Sequence, residues 1–128
     1  MSYNPVVWFE IYVADMARAK AFYEAVLDIE LKLLPEPPGI DMGMEMLTFQ
    51  GDPTRAGATG ALVRMDGVPQ GIAGTIVYFG CDDCGKRTER AVTAGGRIHT
   101  PRMSIGPYGF IALCHDSEGN VFGLHSMS

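Results

Sequence analysis

The 128-residue chain is 47% hydrophobic and 20% charged, with a formal net charge of -5 and a pI of about 5.0, which suits one globular domain with a real core and no second one. No Lys/Arg run offsets phosphates, so nucleic acid is not an expected partner, and no apolar stretch approaches the roughly 20 residues that cross a bilayer. The opening MSYNPVVWFEIYV has no basic leader, and Glu10 interrupts its apolar run; the reading is no secretory signal, no membrane and a cytoplasmic protein.

VVWFEIYV alternates at period two. Val7, Phe9, Ile11 and Val13 form an apolar face, while Trp8, Glu10 and Tyr12 share the other. Asp15 is placed to cap a helix carrying Met16, Ala19, Phe22, Tyr23, Val26 and Leu27 at helical spacing, with Arg18, Lys20 and Glu24 toward water. Strands are predicted over IELKLL (29–34), MGMEMLTF (42–49) and GALVRM (60–65), separated by the turn-rich PEPPG and GDPTRAG. Met42, Met44 and Met46 fall on one face, either as core filling or as an adaptable apolar lining.

DGVPQGIAG (66–74) reads as a linker, and then the order recurs. TIVYFG (75–80) is a strand, Asp82 or Asp83 caps a helix to about Thr93, and the glycines of AGG (94–96) stop it. Strands follow at RIHTP (97–101), YGFIALCH (108–115) and NVFGLH (120–125), with Gly119 supplying the positive φ of a tight turn in DSEGN. PRMSIGPYGF (101–110) is either an ordinary loop or a mobile flap over a pocket. Strand, helix and three strands thus occur twice, at about 5–65 and 74–126. Each half is too small to bury both faces of its own sheet, so both are expected to share one core in a single domain over 1–128.

Cys81 and Cys84 form a CxxC, but a structural zinc site needs a second pair of ligands, and Cys114 alone does not supply it. One or both of Cys81 and Cys84 are expected to pack at a strand-to-helix junction as small, reduced hydrophobes. Neither GxGxxG, GxxxxGK[ST] nor GxSxG occurs where its chemistry would need it, which disfavours nucleotide chemistry and a serine nucleophile.

VADMARAKAFYEAVLDIEL resembles the first helix of the vicinal oxygen chelate superfamily, which includes glyoxalase I, extradiol dioxygenases and bleomycin or fosfomycin resistance proteins. GTIVYFGCDD, AGGRI and HDSEGNVFGL resemble its second module, whose turn usually reads DPEGN. The resemblance spans essentially the whole chain and rests on the order and spacing of these segments. It implies an α+β fold: two βαβββ modules forming curved mixed sheets around a shared cavity, helices outside, and a homodimer. In the metal-dependent members, side chains from the first and fourth strands of each module, usually His, Glu or Gln, bind a divalent ion. Those positions fall here at Trp8, near Ile76, at Gly123 and among Ala61, Leu62, Val63 and Arg64. Indole, alkyl and guanidinium groups do not coordinate a divalent cation. No metal and no other cofactor is therefore expected, the alternative being an ion held off register by Glu10, His125 and further ligands.

Glu10 is the sharpest candidate. By the resemblance its face lines the cavity, where a partly desolvated carboxylate is a candidate general base, a charge that orients a ligand, or a structural acceptor for Arg64 or a tyrosine. His125, two residues beyond Gly123, shares that residue's inward face and is a possible partner for Glu10. Tyr78 adds an aromatic wall with a polar tip. His99 and His115 are expected near turns, in water. The reading is a protein that binds a small apolar or aromatic molecule among Trp8, Tyr12, Tyr78 and the methionines, oriented by Glu10 and Arg64. The alternative is a lyase, isomerase or dioxygenase acting on a vicinal-oxygen substrate, with Glu10 as base or metal ligand.

Overall fold

The structure is a computed structural model that describes residues 4–35, 39, 43–52, 54–68, 70–71 and 74–128. Its elements follow the predicted order: β1 (Val6–Tyr12), α1 (Met16–Leu27), β2 (Leu31–Leu33), β3 (Met44–Phe49) and β4 (Thr59–Met65). The second half holds β5 (Thr75–Gly80), α2 (Cys84–Thr93), β6 (Arg97–Ser104), β7 (Phe110–His115) and β8 (Val121–Ser126), with a 3-10 turn at Gly106–Tyr108. The chain divides into two compact units, residues 8–36 with 41–75, and residues 1–7 with 37–40 and 76–128. The module boundary thus cuts β1 after Val7, where the sequence reading gives the whole strand to the first half.

In the first module the strands run β2-β3-β4-β1. The outer pairings are antiparallel, and β1 lies parallel to β4 with Glu10 opposite Ala61 and Tyr12 opposite Val63. The second module repeats the scheme as β5-β8-β7-β6, with β5 parallel to β8. One parallel pair in each otherwise antiparallel set of four strands makes the β structure mixed. A helix between the first two strands of each module lets a chain return parallel to its start.

Each helix begins where an aspartate can hold it. The Asp15 carboxylate accepts from the Arg18 amide at 3.0 Å, and Asp83, rather than Asp82, accepts from the Lys86 amide at 3.2 Å. Asp28 closes α1 in the left-handed region at φ 53, and the Leu31 amide then donates to the Glu24 carboxylate at 2.8 Å. That turn consumes Ile29 and Glu30 and leaves β2 shorter than the alternation of IELKLL predicts. At the far end of the chain Gly119 has φ 87, and Asp116 accepts from the Glu118 and Asn120 amides at 2.8 and 2.9 Å. These donors hold the Asp116 carboxyl below its usual range, Asn120 first.

Helix and sheet meet along apolar faces. Met16 packs with Leu31, Leu47 and Leu62, flanked by Ile11, Val13, Ala19, Tyr23 and Phe49. In the second module Cys84 packs with Ala112, Cys114 and Leu124. The helical periodicity of α1 promised more than this. Phe22, Val26 and Leu27 are 59%, 61% and 51% exposed, because the stripe that faces β2, β3 and β4 is the Met16–Ala19–Tyr23 line. The 101–110 stretch also departs from the reading: β6 continues through Pro101 to Ser104, so more than a third of it is strand. Proline is tolerated there because β6 pairs with β7 alone in this sheet.

Candidate functional site

Strand alternation and the β1–β4 register build the site in the first module. Trp8, Glu10 and Tyr12 project from one face of β1, opposite Ile11, which packs in the α1 core. Glu10 is 7% exposed and Tyr12 8%. Across the sheet on the same face stand Ala61 and Val63 on β4, both fully buried, and Thr48 and Met46 on β3. None of these carries a positive charge. A carboxylate removed from water must find donors, and β1 provides them itself. The Trp8 indole N–H donates to Glu10 Oε2 at 3.1 Å, and the Tyr12 hydroxyl donates to Oε1 at 2.7 Å. Burial pushes the Tyr12 phenol far above its ordinary value, and the adjoining carboxylate charge and hydrogen bond push the same way. The phenol is therefore a fixed proton donor to Glu10.

Arg64 does not join this group. It lies one residue past Val63 and so on the other face of β4, opposite Glu45. There its half-exposed guanidinium approaches the carboxylates of Glu45 at 3.9 Å and Asp66 at 3.7 Å. The expectation that Arg64 orients a ligand beside Glu10 is corrected by that parity. Met44 and Met46 are half-buried on strand β3, with Met46 opposite Val63; Met42 lies outside the described residues.

In the second module Tyr78 on β5 is buried and stands opposite Gly123 on β8. A Cβ built on Gly123 would run into the Tyr78 ring. Glycine is there because the phenol ring occupies the space where a side chain would be. His125 projects from the same face two residues on, half-buried, and its Nε2 lies 2.6 Å from the Tyr108 carbonyl. A carbonyl only accepts, so Nε2 carries the proton and donates. That bond ties the Gly106–Tyr108 turn to β8. The Ile105 amide donates to the Gly109 carbonyl at 2.9 Å and closes the turn on itself, so the segment read as a possible flap is held at both ends. Nothing in the sequence marked Tyr108 as the partner of His125, since the bond uses its backbone.

At the positions where the resemblance places metal ligands, the side chains are not metal donors. Trp8 donates its N–H to Glu10; Ile76 is a buried alkyl chain; Gly123 offers no side chain; and the residues of β4 on the Glu10 face are Ala61 and Val63. This donor set does not fit a divalent ion. Among the described residues no three His, Cys, Asp or Glu gather into a group able to hold one. Cys84 and Cys114 are buried in the second module's core and Cys81 is half-buried beside them, all three as free thiols. Burial, followed by the neighbouring Cys84, pushes the Cys81 and Cys114 thiols up, which keeps them protonated.

Comparison with known proteins agrees with this architecture. The family model described as Glyoxalase/Bleomycin resistance protein/Dioxygenase superfamily matches residues 6–124. No curated protein matches the chain. Among solved structures, a hypothetical protein from Bacillus halodurans C-125 is similar at 13% identity and TM-score 0.71, covering 100% of this chain and 96% of that one. A methylmalonyl-CoA epimerase from Mycobacterium tuberculosis is similar at 19% identity and TM-score 0.65, covering 98% and 89%. A Streptomyces coelicolor methylmalonyl-CoA epimerase in complex with 2-nitronate-propionyl-CoA is similar at 17% identity and TM-score 0.67, covering 99% and 96%. At these identities the likeness is one of fold.

Proposed function

This chain belongs to the glyoxalase/bleomycin resistance protein/dioxygenase superfamily, and on that premise we propose that it binds a small apolar or aromatic molecule without a resident divalent ion. The observation that carries the reading is the Trp8–Glu10–Tyr12 group. A buried carboxylate, braced by two donors from its own strand, stands among alkyl and aromatic neighbours. Such a carboxylate is a fixed acceptor for one polar group of an otherwise apolar ligand. Trp8 and the half-buried Met46 supply contact area beside it, Met46 as a side chain that adapts its shape. Tyr78 and His125, read from the sequence as ligand-binding, lie in the second module and stand apart from this proposal. Arg64 is left out, for the face it occupies.

Trp8 is the chain's one tryptophan, so its fluorescence reports directly on this place. A panel of small aromatic and acyl compounds is expected to yield a ligand that quenches or shifts that emission. Glu10→Gln is expected to weaken the ligand at least about tenfold, the size of one hydrogen bond to a charged group. Equal affinity in the wild type and Glu10→Gln, for a ligand that moves Trp8 emission, would refute the reading.

A second reading is favoured by the epimerases among the structural neighbours: Glu10 removes and returns a proton at a carbon beside a carbonyl. In such a step the carboxylate would take the proton while still accepting from Trp8 and Tyr12. Deuterium uptake from D2O into an acyl thioester, present in the wild type and absent in Glu10→Gln, would select this reading over simple binding.

The same proposal includes a cytoplasmic homodimer. Three free thiols suit a reducing compartment, and the exposed apolar residues of α1 are the surface a second copy would cover.

A further inference from the structure

His99 and His115 meet for a reason no sequence spacing announces. Strands β6 and β7 fall out of step between them: Ile98 stands opposite Cys114, yet Thr100 stands opposite Leu113, so His99 is the extra residue of a bulge. A bulge re-aims the side chain it carries. Here it leaves the two imidazole centroids 5.4 Å apart, with the rings at 52°. Both residues lie in one compact unit, His99 exposed and His115 half-buried.

Each ring is engaged at one nitrogen. His115 Nδ1 lies 3.4 Å from the Gly119 carbonyl, and His99 Nδ1 lies 2.9 Å from Thr100 Oγ1. The carbonyl only accepts, so His115 Nδ1 carries the ring proton and Nε2 keeps its lone pair. His99 takes the same tautomer when it donates to the threonine hydroxyl. An imidazole that gives its other N–H to a backbone or side-chain oxygen is held as metal-bound histidines are held. The spacing also suits a shared ion. A metal about 2.0–2.1 Å from Nε2 sits about 3.2 Å from the ring centre, so two rings at a tetrahedral angle have centroids about 5 Å apart.

We propose that His99 and His115 form a two-histidine surface site for a borderline divalent transition-metal ion such as Zn2+, with water completing the shell. The site is independent of the Trp8–Glu10–Tyr12 group and of the function proposed for it. Arg97, opposite His115 in the register, is exposed.

Calorimetric titration of the untagged full chain with ZnCl2 tests this. One ion per chain is expected, weakened at least about tenfold by His99→Ala and by His115→Ala and unchanged by His125→Ala. No saturable binding by the wild type, full binding by the His99→Ala/His115→Ala double variant, or equal weakening by His125→Ala would each overturn the site. Should a variant lose its fold, the imidazole nitrogen resonances of the wild type decide. Zn2+-dependent shifts at Nε2 of His99 and His115 support the pair, and shifts confined to other groups refute it.

Discussion

Glu10 carries a negative charge into a place with almost no water, and two aromatic side chains from its own strand hold it there. Removing the Tyr12 hydroxyl takes away a donor that lies 2.7 Å from one carboxylate oxygen. Tyr12→Phe is expected to cost about 1.5–3 kcal/mol of stability by urea unfolding at neutral pH. The phenol also gives stability a pH dependence of definite sign. Its value is raised in the folded state, so in strong base the unfolded chain loses the Tyr12 proton while the folded chain keeps it. Stability contributed this way is present below about pH 10 and falls as the pH rises past it. Tyr12→Phe is expected to flatten that alkaline loss, measured as the unfolding midpoint between neutral pH and strong base. Gly123 is the other residue-scale case. A methyl group there must displace the Tyr78 ring, and Gly123→Ala is expected to destabilise by about 1–3 kcal/mol, as overpacked cores do. An unchanged unfolding midpoint in Gly123→Ala would show that the ring does not fill that space.

Among the elements, the two helices share a device and differ in what they bury. Asp15 and Asp83 each bind an amide three residues on. Asp15→Ala and Asp83→Ala are each expected to cost about 0.5–2 kcal/mol, read by chemical denaturation, with the double variant near the sum because the two caps share no partners. Past its cap, α1 buries Met16 and leaves Phe22 and Val26 in the open. Helical spacing tells which residues share a stripe. Which stripe meets the sheet depends on the angle at which the helix lies across β2, β3 and β4, and that angle is no property of the helix alone. Strand β6 makes a similar point. Pro101 looks like a strand terminator, yet an edge position accepts it, and β6 runs on to Ser104 through register shifts at His99 and again between Thr100 and Met103.

For the whole molecule, the exposed α1 residues and the family's proposed dimer give a direct measurement. The wild type is expected to sediment as a dimer, and Phe22→Glu with Val26→Glu to sediment as a folded monomer. A wild-type monomer at micromolar concentration would end the dimer proposal. The metal-free reading of the main site has its own check, kept apart from the histidine pair. Protein purified without chelator and carrying His99→Ala and His115→Ala is expected to contain no stoichiometric Zn, Ni, Mn or Fe by elemental analysis. One such ion per chain would refute the reading, since the pair on β6 and β7 could no longer account for it.

The duplicated order of elements, the two aspartate caps and the face shared by Trp8, Glu10 and Tyr12 were all legible from the amino acids. Each depends on contacts between near neighbours in the chain: period-two alternation along a strand, an amide three residues away, a glycine at positive φ. The pairing of β4 with β1 and β3, which turns Arg64 from Glu10 toward Glu45, was decided between segments about fifty and twenty residues apart. So were the seat of the Tyr78 ring over Gly123, the hold of Tyr108 on His125 and the meeting of His99 with His115. Local chemistry fixes which side chains share a face. Only long-range register decides which of them touch, because a shift of one residue in strand pairing turns every side chain to the opposite side.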